Sequence, residues 1–137
     1  MPLKNKKGEI HVLLVGYDPI VIKTEKNCLE DQGGLCVETA LSNDEALAKM
    51  KETKPDVIVG DFTGISPYAA AIGFKLVRTL RSKGDTTPFI LFSYDDEEEL
   101  VSERCESGQI EFVEKSGDAS TVFSNLKNRI VSMAARP

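Results

Sequence analysis

The chain has 137 residues, of which 41% are hydrophobic, and this size and composition predict one domain with an ordinary core. Its formal net charge is −5, so it carries no field that favours nucleic acid or an anionic membrane surface. The cysteines lack the C-x-x-C spacing of a zinc site and are expected to behave as small buried side chains; they are Cys28, Cys36 and Cys105. His11 is the sole histidine, which excludes a Ser/His/Asp constellation and indicates a structural role.

The ends of the chain predict a cytoplasmic domain with short tails. The first residues lack the apolar segment of a secretory signal, and no apolar run is long enough to span a bilayer. A nucleic-acid-binding arm would have aromatic or arginine residues among its lysines, and the basic cluster Lys4, Lys6 and Lys7 has none. We therefore expect a flexible basic tail over residues 1–8, one domain over 9–134 and a short tail over 135–137.

Five apolar segments alternate with stretches of helical character, which predicts a parallel sheet covered by helices. The predicted strands are Ile10–Gly16, Leu35–Leu41, Asp56–Asp61, Phe89–Ser93 and Ile110–Glu114. The first, third and fourth are continuous apolar runs, as expected of strands buried on both faces.

Each predicted strand is followed by helix signals. The first helix has Pro19 in its first turn and Gly33 and Gly34 at its exit, and the second begins with a capping box from Ser42 to Glu45. The third has an apolar stripe of Leu76, Val77 and Leu80 and ends near Gly84. The fourth begins with an acidic run over 95–99, and the last runs from about Ala119 to Met133. The acidic run suits the positive end of a helix better than a metal site. The segment between the third strand and its helix, residues 62–72, is irregular and lies beside Asp61.

Three strand tips carry polar side chains that together indicate phosphoryl chemistry. Asp61 can act as a nucleophile, Ser93 can donate to a phosphoryl oxygen, and Lys115 can neutralise its charge. Taken singly, Ser93 is better explained as a helix cap and Lys115 as the partner of a surface acid. Their joint spacing favours the chemical interpretation.

At this point the chain resembles a response-regulator receiver domain, the phospho-acceptor module of two-component signalling, from Ile10 to Ile130. The motifs that carry the resemblance are Val12–Val15 running into Asp18 and Pro19, Pro55–Asp61, Thr87–Ser93 and Phe112–Lys115. The resemblance implies a doubly wound α/β fold, the flavodoxin-like or CheY-like (βα)5 arrangement, with strand order 2-1-3-4-5. A weaker similarity is to receiver modules attached to archaeal sensor kinases.

The resemblance also implies roles for individual residues. Asp61 matches the phosphorylated aspartate, Ser93 the switch hydroxyl, Phe112 the aromatic switch position and Lys115 the family's lysine. Mg²⁺ would be held by Asp61 and the backbone carbonyl of Thr63. The implied partners are a histidine kinase or phosphotransfer protein and an output domain or protein, with a second copy of the chain as a further candidate. Such a domain catalyses at most its own phosphorylation and dephosphorylation.

The chain departs from the family's pattern at the metal site. Receiver domains place two adjacent acids at the tip of the first strand, whereas this chain has Gly16 and Tyr17 there. Asp18 is the nearest substitute ligand, although one residue along a strand reverses the side-chain direction. Tyr17 could instead fill the space and reach Asp61 or Lys115. Because Mg²⁺ demands near-octahedral oxygen ligands, we expect it to bind weakly or not at all.

The loop after Asp61 departs as well, since Ile65 and Ala69 stand where the family usually has Pro and Gly. An insertion of roughly four residues is indicated, against the short βα loops usual in such folds. Two hypotheses remain open: a receiver phosphorylated on Asp61, and a pseudo-receiver that acts as a phosphorylation-independent interaction module. A flavin-binding or nucleotide-binding enzyme is disfavoured, because no glycine-rich phosphate loop follows the first strand.

Overall fold

A computed structural model describes residues 8–61, 69–93 and 110–135 of the chain, without the side chains of residues 69–72. The strands are β1 Ile10–Gly16, β2 Leu35–Ala40, β3 Val57–Asp61, β4 Phe89–Ser93 and β5 Ile110–Glu114. The helices are α1 Pro19–Asp31, α2 Asn43–Glu52, α3 Ala69–Ser82 and α4 Ala119–Ala134. The helix predicted from the acidic run at 95–99, the carbonyl of Thr63 and Cys105 lie outside the described residues.

The five strands form one parallel sheet in the order β2-β1-β3-β4-β5, which confirms the predicted α/β fold and strand order. Two strand ends differ from the prediction by one residue. β2 ends at Ala40 because the amide of Leu41 donates to Glu45 Oε1 at 2.7 Å and so belongs to the cap of α2. β3 begins at Val57 rather than Asp56, whose carboxylate instead accepts from the amide of His11 at 2.8 Å.

Alternate residues of the strands build a core on each face of the sheet. On one face α1 and α4 cover a cluster made by Val12, Leu14, Ile22, Leu29, Leu35, Val37, Val57, Val59, Ile90, Phe92, Val113, Val122, Leu126, Ile130 and Met133. On the other face α2 and α3 cover a cluster made by Leu13, Val15, Ala40, Ala46, Ile58, Phe74, Leu76, Val77, Leu80, Phe89, Leu91 and Ile110. The site described below belongs to the α1 and α4 face.

Polar side chains fix where three of the helices begin. Ser42 Oγ accepts from the amide of Glu45 at 3.0 Å, and Glu45 reaches back to Leu41, which confirms the predicted capping box. Asp18 caps α1 and Asp118 caps α4, each through its carboxylate. Among the described helices, none has the length and hydropathy needed to cross a membrane.

His11 lies within the sheet as a structural residue. Its side chain is buried in β1, and Nε2 lies 3.2 Å from Glu38 Oε1 on the neighbouring strand. Cys36 is buried, as predicted, whereas Cys28 on α1 is only partly buried.

Candidate functional site

The parallel register brings the carboxyl ends of β1, β3, β4 and β5 to one edge of the sheet. Gly16 of β1 is the register partner of Asp61 of β3, and Ser93 of β4 is the partner of Glu114 of β5. The backbone amide of Lys115 then donates to the carbonyl of Ser93 at 2.8 Å. The predicted site residues Asp61, Ser93 and Lys115 therefore share this edge, as strand ends of a doubly wound sheet do.

Three ionisable side chains form a buried cluster at this edge. Lys115 Nζ lies 2.7 Å from Asp61 Oδ2 and 3.0 Å from Glu25 Oε2. The exposed fractions of the side chains are 1% for Asp61, 5% for Glu25 and 9% for Lys115. Lys115 Nζ also lies 5.2 Å from the centre of the Phe92 ring, within range of a cation–π contact. One ammonium group is thus held by two carboxyl groups and an aromatic face.

Glu25 is the member of the cluster that sequence reasoning missed. It occupies the inward stripe of α1, where the other buried residues are Ile22 and Leu29, so it stands where an apolar side chain is expected. Its Oε1 has no hydrogen-bond partner among the described residues, so Oε2 carries its polar contacts. A glutamate within an apolar helical stripe was the available signal, because burying a carboxyl group is costly unless it has a partner.

The environment shifts the pKa values of two groups in the cluster. Burial raises the pKa of Glu25 to about 9, and the hydrogen bond to Asp61 and its negative charge add to the rise, while Lys115 opposes it. For Lys115, burial acts to lower the pKa, but the hydrogen bonds and charges of Asp61 and Glu25 outweigh it, so the pKa is raised. At neutral pH the cluster is therefore best described as an Asp61–Lys115 ion pair with an uncharged Glu25.

Gly16 is required by close packing at the tip of β1. A Cβ atom added there would lie 2.4 Å from Ile22 Cδ1 and 2.5 Å from the backbone carbonyl oxygen of Asp61. Both distances are shorter than real carbon contacts, and the carbonyl belongs to the neighbouring strand and cannot rotate away. The side chain of Ile22 and the backbone of β3 thus fill the space that an acidic side chain at position 16 would need.

Three other residues that the sequence suggested for the site, Asp18, Tyr17 and Phe112, make their described contacts elsewhere. The Asp18 carboxylate accepts from the amides of Ile20 at 2.9 Å and Val21 at 3.3 Å, so it serves the start of α1. The rings of Tyr17 and Phe112 are partly buried and pack against the core cluster of the α2 and α3 face. Burial raises the pKa of Tyr17.

The described residues do not fit Mg²⁺. Gly16 provides no side-chain ligand, Asp18 is engaged in capping, and the carboxyl groups of Asp61 and Glu25 both face the Lys115 ammonium. Within the described ranges no group of three or more His, Cys, Asp or Glu side chains is arranged to hold a metal ion. Since Mg²⁺ needs several oxygen ligands in near-octahedral geometry, this arrangement is a poor substitute for the family's acidic pair.

A cavity of about 500 Å³ opens between α1 and α4 and reaches the cluster. Both Glu25 and Lys115 line it, and Ile20, whose exposed fraction is 77%, lies on its wall. The cluster therefore has a route to solvent on this side.

Comparisons with known proteins identify the family. The chain is 25% identical to the Vibrio cholerae chemotaxis protein CheY4, with a TM-score of 0.71 over 88% of this chain and 98% of that one. It is 24% identical to the receiver domain of the Francisella response regulator 1452 (TM-score 0.73; 92% and 97% covered). It is also 25% identical to the signal receiver domain of a signal transduction histidine kinase from Syntrophus aciditrophicus (TM-score 0.65; 93% and 94% covered).

No curated protein sequence matches the chain. The family model described as "response regulator receiver domain" matches residues 12–127. Because this match spans well over half of the sequence, the chain belongs to the family of response-regulator receiver domains.

Proposed function

We propose that this receiver domain acts in two-component signalling as a protein-interaction module whose Asp61 site works without Mg²⁺ and without a phosphoryl group. The observation that carries the proposal is the burial of the Asp61 carboxylate and its pairing with Lys115. Asp61 is almost fully buried and paired with Lys115 at 2.7 Å, and the strand beside it ends in a glycine that has no room for a side chain. Asp61 then serves the structure of the strand edge instead of acting as a nucleophile.

The partners on this proposal are those of the family, a histidine kinase or phosphotransfer protein and an output domain or protein. Their binding would depend on the surface of the fold and would be indifferent to Mg²⁺ and to phosphoryl donors. The chain itself would catalyse nothing.

A second candidate function, favoured by the position of Ser93 beside Lys115 at the strand edge that also carries Asp61, is phosphorylation of Asp61. In that reaction an Asp61 oxygen attacks the phosphorus of the donor and an acyl phosphate forms, while the phosphorus–nitrogen bond of a phosphohistidine donor, or the phosphorus–oxygen bond of acetyl phosphate, breaks and releases the imidazole or acetate. Lys115 would neutralise the charge of the transferred phosphoryl group, and Ser93 would donate a hydrogen bond to it. Phe112 would change its side-chain position in response and so alter the partner-binding surface. The reaction needs an oxygen of Asp61, whose side chain is only 1% exposed, to become accessible to the donor.

Incubation with acetyl phosphate, with and without MgCl₂, followed by intact-mass measurement, separates the two functions. The interaction module predicts an unmodified mass under both conditions. A phosphoryl adduct that disappears in Asp61→Asn would overturn the proposal in favour of the second candidate. Asp31→Asn is the matched control, because it removes an exposed carboxylate at the end of α1 and should leave any adduct unchanged.

A further inference from the structure

We infer that Glu25 is a positioning residue that holds the Lys115 ammonium against Asp61, so that a lysine side chain occupies the place of a divalent cation. The second carboxyl group of the site is thus supplied from the middle of α1 and not from the tip of β1. This inference concerns the site of the proposed function but stands apart from it, since Glu25 can hold Lys115 whether or not Asp61 is ever phosphorylated.

The first step of the argument is the cost of Glu25. Burying a carboxyl group in an apolar helical stripe is unfavourable unless a polar partner receives it. Its polar partners are the Lys115 ammonium, at 3.0 Å, and the Asp61 carboxylate that the same ammonium binds. A leucine or valine at this position would suit the neighbouring Ile22 and Leu29 better, so the side chain is explained by what it does to Lys115.

The second step is the geometry around Lys115. Its backbone is fixed by the hydrogen bond to Ser93, and its ammonium group lies 2.7 Å from Asp61 and 3.0 Å from Glu25, with the Phe92 ring centre 5.2 Å away. Because the two carboxyl groups also contact each other, they form one acceptor cluster, and an ammonium group that leaves the cluster loses both contacts. A long and otherwise mobile side chain is therefore kept in one position.

The third step is access. The cavity between α1 and α4 reaches Glu25 and Lys115, so solvent ions can approach the cluster from that side. The positive charge already bound there therefore opposes a divalent cation that approaches by this route. Coulomb repulsion between an ammonium group and Mg²⁺ at contact distance is large inside a protein.

The test observes the Lys115 ammonium directly, by ¹H–¹⁵N NMR of protein labelled with ¹⁵N-lysine at neutral pH. An ammonium group held in a buried cluster exchanges its protons slowly and gives a resolved signal, which Lys115→Met assigns by removing it. We expect Glu25→Leu, which fits the apolar stripe, to abolish this signal. Glu25→Gln keeps an oxygen that accepts from Lys115 and should restore it.

Asp31→Leu serves as the control, because it removes an exposed carboxylate from the same helix and should leave the signal in place. A Lys115 signal that persists unchanged in Glu25→Leu overturns the inference, since Asp61 alone would then hold the ammonium. MgCl₂ is the second probe, applied to the unaltered chain. No saturable change of the Lys115 signal is expected, and a saturable loss that is absent in Asp61→Asn would show that Mg²⁺ displaces the lysine and would overturn the inference too.

The two proposals can fail separately. A phosphoryl adduct on Asp61 together with a Lys115 signal that depends on Glu25 would reject the interaction module and retain the positioning role. An unmodified mass together with a Lys115 signal that does not depend on Glu25 would retain the interaction module and reject the positioning role.

Discussion

Gly16 has no room for a Cβ atom because two neighbours approach it closely, the Ile22 side chain and the Asp61 carbonyl. We predict that Gly16→Ala lowers the free energy of unfolding by about 1–3 kcal/mol, the usual cost of overpacking. Gly16→Asp should cost more, because it adds an unpaired carboxylate to a buried edge. Urea unfolding of the three proteins measures both effects.

A double variant identifies which neighbour matters. In an Ile22→Ala background the side-chain contact is gone, but the carbonyl contact at 2.5 Å remains, so Gly16→Ala should still be destabilising. If Gly16→Ala became neutral in that background, the backbone of β3 would not be the obstacle.

Glu25 predicts a pH dependence of stability. Its pKa is about 9 in the folded chain against an ordinary 4.5, so between these values the folded state holds a proton that the unfolded state has released. The contribution of this bound proton to the free energy of unfolding is therefore fully present below about pH 4.5. It is lost as the pH rises toward about 9, and the free energy of unfolding falls by at most ~1.4 kcal/mol per pH unit. Glu25→Gln cannot titrate and lacks this loss.

The measurement is the difference in free energy of unfolding between the unaltered chain and Glu25→Gln across that pH range. The difference removes the effect of groups that do not contact Glu25, such as Asp85, whose pKa is lowered despite its burial because Thr87 donates to it and Lys54 and Arg81 lie nearby. Glu25→Gln should gain stability relative to the unaltered chain as the pH rises. Parallel profiles would contradict the raised pKa of Glu25.

Among the helices, α1 carries two of the acids discussed above, with Asp18 at its cap and Glu25 on its inward face. We predict that Asp18→Ala lowers the free energy of unfolding by about 1 kcal/mol, because two amides of the first turn lose their acceptor. Asp18→Asn keeps an acceptor oxygen and should cost much less. Thermal or urea unfolding checks this, with Asp31→Ala as the exposed control.

The same variants test the metal-ligand interpretation of Asp18. If Asp18 acted mainly as a ligand, Asp18→Asn would change the response of the protein to MgCl₂ while leaving its stability without metal intact. The capping geometry predicts the opposite result. Asp18→Ala should lower the free energy of unfolding, and neither variant should change the response to MgCl₂.

Sequence patterns predicted the elements well where one local rule decides them. Continuous apolar runs gave β1, β3 and β4, and the Ser42 capping box gave the start of α2. The predicted strand ends were less accurate, because groups outside the strand compete for the backbone there. The Glu45 side chain, for example, accepts the hydrogen bond of the Leu41 amide. Such competition depends on distances that a linear pattern does not contain.

The site was predicted less completely than the fold. The meeting of Asp61 and Lys115 followed from both lying at strand ends of a parallel sheet. Glu25 could not be placed there without the rotation of α1 over the sheet, because a glutamate on a helix is usually solvated. The crowding at Gly16 depends on the rotamer of Ile22, which only the packed structure specifies.

Across the whole molecule, two separate cores lie on opposite faces of one sheet. We predict that Leu126→Ala in the α1 and α4 core and Leu76→Ala in the other core each cost about 2–5 kcal/mol, as deletions of fully buried leucines do. Because the sheet separates the two sites, their effects should add within about 0.5 kcal/mol. Urea unfolding of the single and double variants checks this.

The same experiment tests whether the domain unfolds as one unit. A single transition with an unchanged slope against urea is expected, because both cores share the five strands. Two resolved transitions in either single variant would show that the faces unfold independently.

The crowding at the end of β1 also bears on the redesign of this chain. Restoring an acidic side chain at position 16 takes more than one substitution. The contact with Ile22 requires a second substitution, and the contact with the Asp61 carbonyl requires a shift of the neighbouring strand. An engineer who wanted a metal-binding receiver would therefore have to repack α1 against β3 before placing the missing ligand.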